Sequence, residues 1–372
     1  MKKIFLAIAT VAAFASCTKS EVEYTPAKEI TFTPVSKNIT KAMMDNGKVF
    51  NTDEMFNVWA FYNPTITLTD EIDLWVSQYK ASAENGAKVY IDNKAFEYDE
   101  THKLWAGSES PYFWPKVGSL AFAGYHPTTA SATYELKDDK NVMTFPNVKR
   151  SWVTTDTNNN EDLMYFNLTK AYEGNNVVAV FKHALSWLTI NVATTQETLT
   201  AKATIKVSSV KFTNVVPQGT GSVVNQNSIA WALEGDDEPV ETIADPITSP
   251  VTLDVNPRKL KEPLFIPQPM DGNLEITYTI ESPVDKDGVI SSFTETKVIK
   301  LNTLKDEDEK ALTEWEAAKH YIYNIVIGTE EILIDASVVN WTEVTIPVDV
   351  NKTASNTEGS GSDSDDSEPG NN

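Results

Sequence analysis

The chain has 372 residues, with 53 acidic against 31 basic side chains, a formal net charge of −22 and a single cysteine. Nucleic acids and anionic lipid surfaces recruit proteins through clusters of Lys and Arg, so this charge balance argues against nucleic acid as a partner. One cysteine allows no intrachain disulfide, so stability must come from apolar burial, and a chain of this length is most naturally two domains because single cores stop growing at about 250–300 residues.

Lys2 and Lys3 precede an apolar run from Ile4 to Ala15, shorter than the roughly 20 residues that a membrane-spanning helix requires. Residues 1–16 therefore read as a signal peptide. Ala15 and Ser16 put small side chains ahead of the thiol of Cys17, the arrangement that a lipoprotein signal peptidase needs, and Cys17 is the expected lipidation site. Phe14 stands where such sequences usually carry Leu. Residues 17–41 form the lipidated N-terminal segment, a polar tether from Thr18 to Lys28 followed by Ile30-Thr31-Phe32-Thr33, which alternates as a short strand does.

Beyond that segment strands predominate. Phe56 to Tyr62, Ala203 to Phe212, Leu274 to Ile280 and Ile332 to Val338 are rich in β-branched and aromatic residues with partial period-two alternation. Turns are expected at Glu84-Asn85-Gly86, Asp271-Gly272-Asn273 and Lys286-Asp287-Gly288. One helix is predicted, from Asp306 to Lys319, because its acidic start suits the helix macrodipole. The pattern indicates an all-β protein built of β-sandwiches, with an N-terminal domain over 42–173 and a C-terminal domain over 174–350 that meet near residues 170–177. Residues 351–372 are Ser, Gly, Asp and Asn with almost no apolar content and are expected to be a disordered acidic tail.

No catalytic constellation stands out. There is no Gly-x-Ser-x-Gly elbow, no His-Glu-x-x-His, no phosphate loop and no dinucleotide fingerprint. A carboxylate pair for glycoside hydrolysis is a spatial feature that sequence leaves open. The four histidines, at 102, 126, 183 and 320, show no metal-ligand spacing. His183 and His320 lie in strand-like runs and read as structural. Asp306-Glu307-Asp308-Glu309 departs from EF-hand spacing and reads as a solvated helix start. Neither an enzyme, a cofactor nor a metal site is expected.

Several separated stretches carry more information as an ordered set than alone. They are Ile39-Thr40-Lys41-Ala42, Phe56-Asn57-Val58-Trp59-Ala60, Leu120-Ala121-Phe122-Ala123-Gly124-Tyr125-His126-Pro127, Asp162-Leu163-Met164-Tyr165 and Val178-Ala179-Val180-Phe181-Lys182-His183, then Leu264-Phe265-Ile266-Pro267-Gln268, Trp315 to Tyr323 and Asn340-Trp341. In this order the chain resembles the fimbrillin family, subunits of type V pili made as lipoprotein precursors with two transthyretin-like β-sandwich domains in tandem. Phe122, Tyr125, Phe181, Tyr321, Tyr323 and Trp341 are expected to fill sandwich cores. Ala318 stands where the family often has Gly, and Lys41 where it often has Arg.

The resemblance implies donor-strand polymerisation. A trypsin-like protease cuts between Lys41 and Ala42, the first strand is lost, and a neighbour's strand fills the groove. Arg150 competes with Lys41 as a cleavage site, because Lys149-Arg150 opens a polar run through Asn160. Val344 to Val350 alternates as a donor would, despite Pro347, or forms an ordinary final strand. The implied partners are other fimbrial subunits, the outer membrane through the lipid anchor, the processing protease, and a host or bacterial surface ligand. The implied location is the outer-membrane surface, in a fimbrium. The alternative is a monomeric surface lipoprotein that binds glycan or host ligand, with exposed Trp75, Trp105 or Trp114 as stacking platforms.

Overall fold

The computed structural model describes residues 28–36, 50–64, 72–82, 86–137, 140–150, 161–171, 176–224, 228–234, 243–244, 247, 249–306, 308–329 and 332–340. The leader, Cys17, Lys41, Ala42, Trp341, the stretch Val344 to Val350 and the acidic tail lie outside the described residues.

Side chains that fit a pleated, half-buried surface make strands along most of the described residues. The first nine are β1 (Phe32–Ser36), β2 (Phe56–Asn63), β3 (Lys88–Asp99), β4 (Leu104–Gly107), β5 (Ser119–His126), β6 (Thr133–Lys137), β7 (Lys140–Lys149), β8 (Met164–Ala171) and β9 (Val177–His183). Seven of them close into a barrel in the order β1-β4-β3-β2-β5-β8-β9. Its central strands β2 and β5 are buried on both faces. Phe56, Val58, Ala60, Leu120 and Phe122 point into the barrel, while Trp59, Phe61, Ala121, Ala123 and Tyr125 point out into a second cluster. Double burial explains why the alternation in these segments is only partial, since a strand covered on both sides reads as a continuous apolar run.

The later strands are β10 (Ser186–Thr194), β11 (Thr204–Thr213), β12 (Gln218–Val224), β13 (Ser228–Leu233), β14 (Ile243–Ala244), β15 (Val251–Thr252), β16 (Arg258–Lys261), β17 (Leu264–Phe265), β18 (Gln268–Pro269), β19 (Asn273–Glu281), β20 (Ser292–Lys300), β21 (Glu314–Trp315), β22 (Lys319–Ile327) and β23 (Ile332–Asn340). One sheet runs β16-β10-β22-β23 and another β14-β11-β19-β20. Leu188, Ile190, Tyr321 and Tyr323 of the first meet Val207, Phe212, Leu274 and Ile276 of the second in a single buried cluster, so the two sheets form a sandwich. The all-β expectation holds, and Phe122, Tyr125, Phe181, Tyr321 and Tyr323 are all buried in cores.

Hairpin β6–β7 does not stay with the barrel. It joins a separate sheet, β13-β12-β7-β6, in which Gln218 pairs with Lys149 and Val224 with Val142. Met143, Phe145, Val223 and Ile229 of that sheet cover the outer face of β2 and β5, together with Trp187, Leu264 and Ile266. The closing barrel strand β9 lies beyond the expected junction near residues 170–177.

Among the described residues there are two α-helices, α1 (Ile72–Ala81), which packs against this core, and the short α2 (Gln196–Thr200) between β10 and β11. Sequence reading does not anticipate α1. It buries Trp75 and Val76, and the Trp75 indole N–H donates to Ser119 Oγ at 2.9 Å. Asp73 in the first turn and Lys80 in the last are the charge signals that marked it.

The helix expected from Asp306 to Lys319 is absent. Asp306 uses its acidic side chain as a turn former instead: Oδ1 accepts from the backbone N–H of Asp308 at 3.0 Å and of Lys310 at 2.9 Å. Lys305 pairs with Ala311 to close the loop. Trp315 then sits in β21 with its indole N–H donating to Tyr323 Oη at 2.8 Å, in the sandwich core. Local hydrogen bonding by Asp competes with helix, and tertiary burial of Trp315 decides the outcome.

Ala318 closes the turn into β22 with φ +59°, in the left-handed region, and its backbone N–H donates to Leu185 O at 2.9 Å. A Cβ in that region is strained, so alanine at position 318 has a cost. Ala318→Gly is expected to stabilise the fold by about 0.5–1 kcal/mol in urea denaturation, the strain relieved exceeding the added chain entropy.

Candidate functional site at the barrel-closing strand

Strand β1 closes the barrel. On one side it runs parallel to β9, from Phe32 opposite Val177 to Ser36 opposite Phe181. On the other it meets β4 only at Phe32 opposite Trp105. The residues before it are held by a different segment: Ile30 N donates to Tyr112 O at 2.7 Å, and Trp114 N donates to Lys28 O at 2.9 Å. Where the β1–β4 contact ends, a cavity of about 180 Å3 opens between Glu29, Thr31, Asp99, His102, Leu104 and Ala106.

Alternation along this segment is strict. Ile30, Phe32 and Pro34 are buried, and Thr31, Thr33 and Val35 are half-buried. Phe32 is fully enclosed, with its ring edge-on to Phe96 at 4.9 Å, Phe122 at 5.3 Å and Phe56 at 5.8 Å, and tilted against Phe166 at 6.3 Å. Phe181 and Phe50 extend the lining, 4.8 Å apart. Quadrupolar rings favour these edge-to-face arrangements beyond simple area burial. The site is thus a groove between β9 and β4, floored by phenylalanines from β2, β3, β5, β8 and β9 and by Phe50, and filled by one short strand.

Lys41 and Ala42 lie outside the described residues, in sequence between Ser36 at the end of β1 and Phe50 in the barrel core. Arg150 is a different matter. Its side chain is buried, Nη1 donates to Glu161 O at 3.0 Å, and its backbone N–H donates to Pro217 O at 2.7 Å. Burial pushes its pKa down to about 10, against the pull of Asp162 and Glu161, so it remains charged at neutral pH. A protease cannot seat a side chain held this way, which removes Arg150 as the competing cleavage site.

Trp75, Trp105 and Trp114 are all buried, so none of them offers a stacking face to a glycan. His183 and His320 are structural. His183 in β9 is hydrogen-bonded to Asp162 in the interior. His320 in β22 lies flat on Trp187 at 3.6 Å and shares a 2.8 Å hydrogen bond between Nε2 and Thr189 Oγ1. His102 and Asp99 form an exposed pair at 2.6 Å that holds the Asp99 carboxyl down to about 2 and raises the imidazole. Among the described residues no cluster of His, Cys, Asp or Glu could hold a metal ion, and no helix is long and apolar enough to cross a membrane.

Comparison with known proteins gives the class. The fimbrillin-like family model matches residues 40–341, and the chain belongs to that family. A fimbrial protein from Bacteroides vulgatus shares the fold, with 15% identity, 85% of this chain and 100% of the other covered, and a TM-score of 0.56. A candidate cell adhesion protein from Bacteroides uniformis is similar at 16% identity, 84% and 98% coverage and a TM-score of 0.47. The tip fimbrial protein Mfa3 from Porphyromonas gingivalis is similar at 10% identity, 85% and 100% coverage and a TM-score of 0.34. No curated protein matches the chain. Membership makes this a fimbrial protein of the cell surface, in a structural and not an enzymatic family.

Two outcomes follow from the groove and the buried histidine. Phe32→Ala should destabilise the precursor by about 3–5 kcal/mol in denaturant unfolding, through lost burial and the cavity left among the rings. Burial lowers the His320 pKa from 6.5 to about 4, with Glu262 opposing and Lys259 reinforcing the shift. The folded state therefore binds fewer protons than the unfolded state between those values. The His320 contribution should be flat above about pH 7 and lower stability by about 2 kcal/mol as pH drops from 6.5 towards 4, with a shallower slope in His320→Asn.

Proposed function

We propose that this chain is a fimbrial subunit or fimbria-associated adhesin, exported as a lipoprotein and assembled by protease-triggered donor-strand exchange. The observation that carries this reading is β1, whose alternate residues Ile30, Phe32 and Pro34 fill an aromatic groove that no later strand of the barrel closes. Residues 1–16 direct export, and Cys17 takes the lipid that holds the precursor at the outer membrane. Cleavage between Lys41 and Ala42 by a trypsin-like protease releases residues 17–41 and β1 with them.

What remains is an open edge on β9, a partly open edge on β4, and a phenylalanine-lined cleft, a combination that strongly favours strand addition. A neighbour's strand supplies main-chain hydrogen bonds and sets alternate side chains where Ile30, Phe32 and Pro34 sat. Val344 to Val350 of the neighbour has the required alternation. Pro347 is no obstacle in principle, because β1 itself carries Pro34 within the barrel wall. The β1 to β9 pairing is parallel and short, and parallel ladders are slightly weaker per residue than antiparallel ones, which suits a strand that must leave.

Lys meets a cation-binding protease pocket as a point charge, where Arg makes a bidentate contact. Lys41→Ala should leave a monomeric, lipid-anchored precursor, and Lys41→Arg should assemble at least as well as the native sequence. N-terminal sequencing of assembled surface material is expected to start at Ala42; polymers that start at Cys17 would overturn the mechanism. Cys17→Ala should abolish incorporation of radiolabelled palmitate and leave the precursor uncleaved or mislocalised, because lipidation precedes cleavage.

A further inference from the structure

Strand β20 ends its sheet, and among the described residues nothing pairs with its outer side. Its register against β19 is unbroken from Ser292 opposite Glu281 to Lys300 opposite Asn273. At one end of that pair Ser282 N donates to Ser291 O at 2.8 Å, and at the other Leu301 N donates to Gly272 O at 3.0 Å. Odd-numbered residues therefore turn their backbone groups toward β19. Ser292, Thr294, Thr296, Val298 and Lys300 turn theirs outward.

Side chains follow the same alternation. Phe293, Glu295, Lys297 and Ile299 stand opposite Ile280, Tyr278, Ile276 and Leu274, on the core-facing side of the sheet, yet Phe293 is 61% exposed. On the other side Val298 is 54% exposed, and the hydroxyls of Thr294 and Thr296 bond to those of Thr279 and Thr277, each at 2.8 Å.

Charges on the core-facing side of an edge strand ordinarily repel any incoming strand. Here they are placed symmetrically about Thr296. Antiparallel pairing of β20 with the same strand of a second copy, about a two-fold axis at Thr296, sets Glu295 opposite Lys297, Phe293 opposite Ile299, Thr294 opposite Val298 and Ser292 opposite Lys300. Centring the axis on Glu295 or Lys297 brings like charges face to face, and an odd shift sets core-facing residues against outward-facing ones. In the Thr296 register the five outward-facing residues of each strand exchange about ten main-chain hydrogen bonds.

We propose that β20 is a self-complementary strand-addition surface that joins two copies of this chain into one continuous sheet. This goes beyond donor-strand assembly: a donor strand links subunits head to tail, whereas an isologous contact closes on itself and links two chains sideways. The contact area is small, so the dimer is weak and depends on concentration.

Sedimentation velocity on the exported chain, over a series from micromolar to millimolar, tests the idea. Wild type should show a monomer–dimer equilibrium. Thr296→Pro removes an outward N–H that the monomer does not use, and Glu295→Lys sets like charges opposite; each should weaken association about tenfold or more. The exchange Glu295→Lys with Lys297→Glu loses the same Tyr278 contact as the single variant, yet it should restore the dimer. A wild type that stays monomeric throughout, a dimer indifferent to Thr296→Pro, or an exchange variant as weak as Glu295→Lys would each overturn the proposal. Dimerisation that appears only after deletion of residues 344–350 would also overturn it, by assigning this edge to the chain's own C-terminal segment.

Discussion

The packing of Phe32 against Phe96 and Phe122 ties the closure of the barrel to a segment that precedes every other strand in it. The floor of the groove comes from β2, β3, β5, β8 and β9, all of which pair with one another independently of β1. Loss of β1 therefore leaves the remaining ladder intact and exposes apolar rings along one seam. A strand buried at the centre of a sheet could not be withdrawn in this way, since its removal would break two full ladders. β1 has a full ladder on one side only, and a single paired position on the strand at its other side.

Under the proposed mechanism the body must stay rigid while the seam opens. Sheet β13-β12-β7-β6 draws strands from both halves of the chain, and the cluster beneath it joins Trp59 and Phe61 of the barrel to Trp187, Leu264 and Ile266 near the sandwich. Parallel pairing of β10 with β22, from Trp187 opposite His320 to Thr194 opposite Ile327, continues this wall into the sandwich. Force applied along a filament would then cross a hydrogen-bonded sheet and a shared core before reaching the far half.

Most of the fold class was legible in the residues, and the failures have identifiable causes. Segments such as Phe56 to Tyr62 and Leu274 to Ile280 become strands because their side chains suit a pleated surface regardless of partner. Helix α1 escaped because its buried stripe, around Trp75 and Val76, is narrow and the adjoining Leu74 faces solvent, which blurs the helical period. The helix expected after Asp306 failed for the opposite reason: an acidic start is equally good at capping a turn, and Trp315 had a core to enter. Arg150 looked like a protease target because its neighbours are polar. Only the spatial return of Pro217 and Glu161 shows that it is enclosed. At the groove itself, Ile30 to Thr33 announced a strand by alternation, but its parallel register with β9 joins residues far apart in the chain, which no local pattern encodes.

Open edges are the common theme of this protein, and it treats its two kinds differently. The barrel covers its seam with a strand of its own, and under the proposed mechanism that seam opens only after cleavage of the chain. Strand β20 stays exposed at all times and relies on Glu295 and Lys297 for protection, with Phe293 left in water beside them. Protection by alternating charge is selective by nature, because the penalty depends on what the partner places opposite each charge. An unrelated strand leaves both charges unpaired on a desolvated face. A strand with Lys and Glu in the mirrored order satisfies them, and the one sequence certain to carry that order at high local density on a fimbriated surface is another copy of β20.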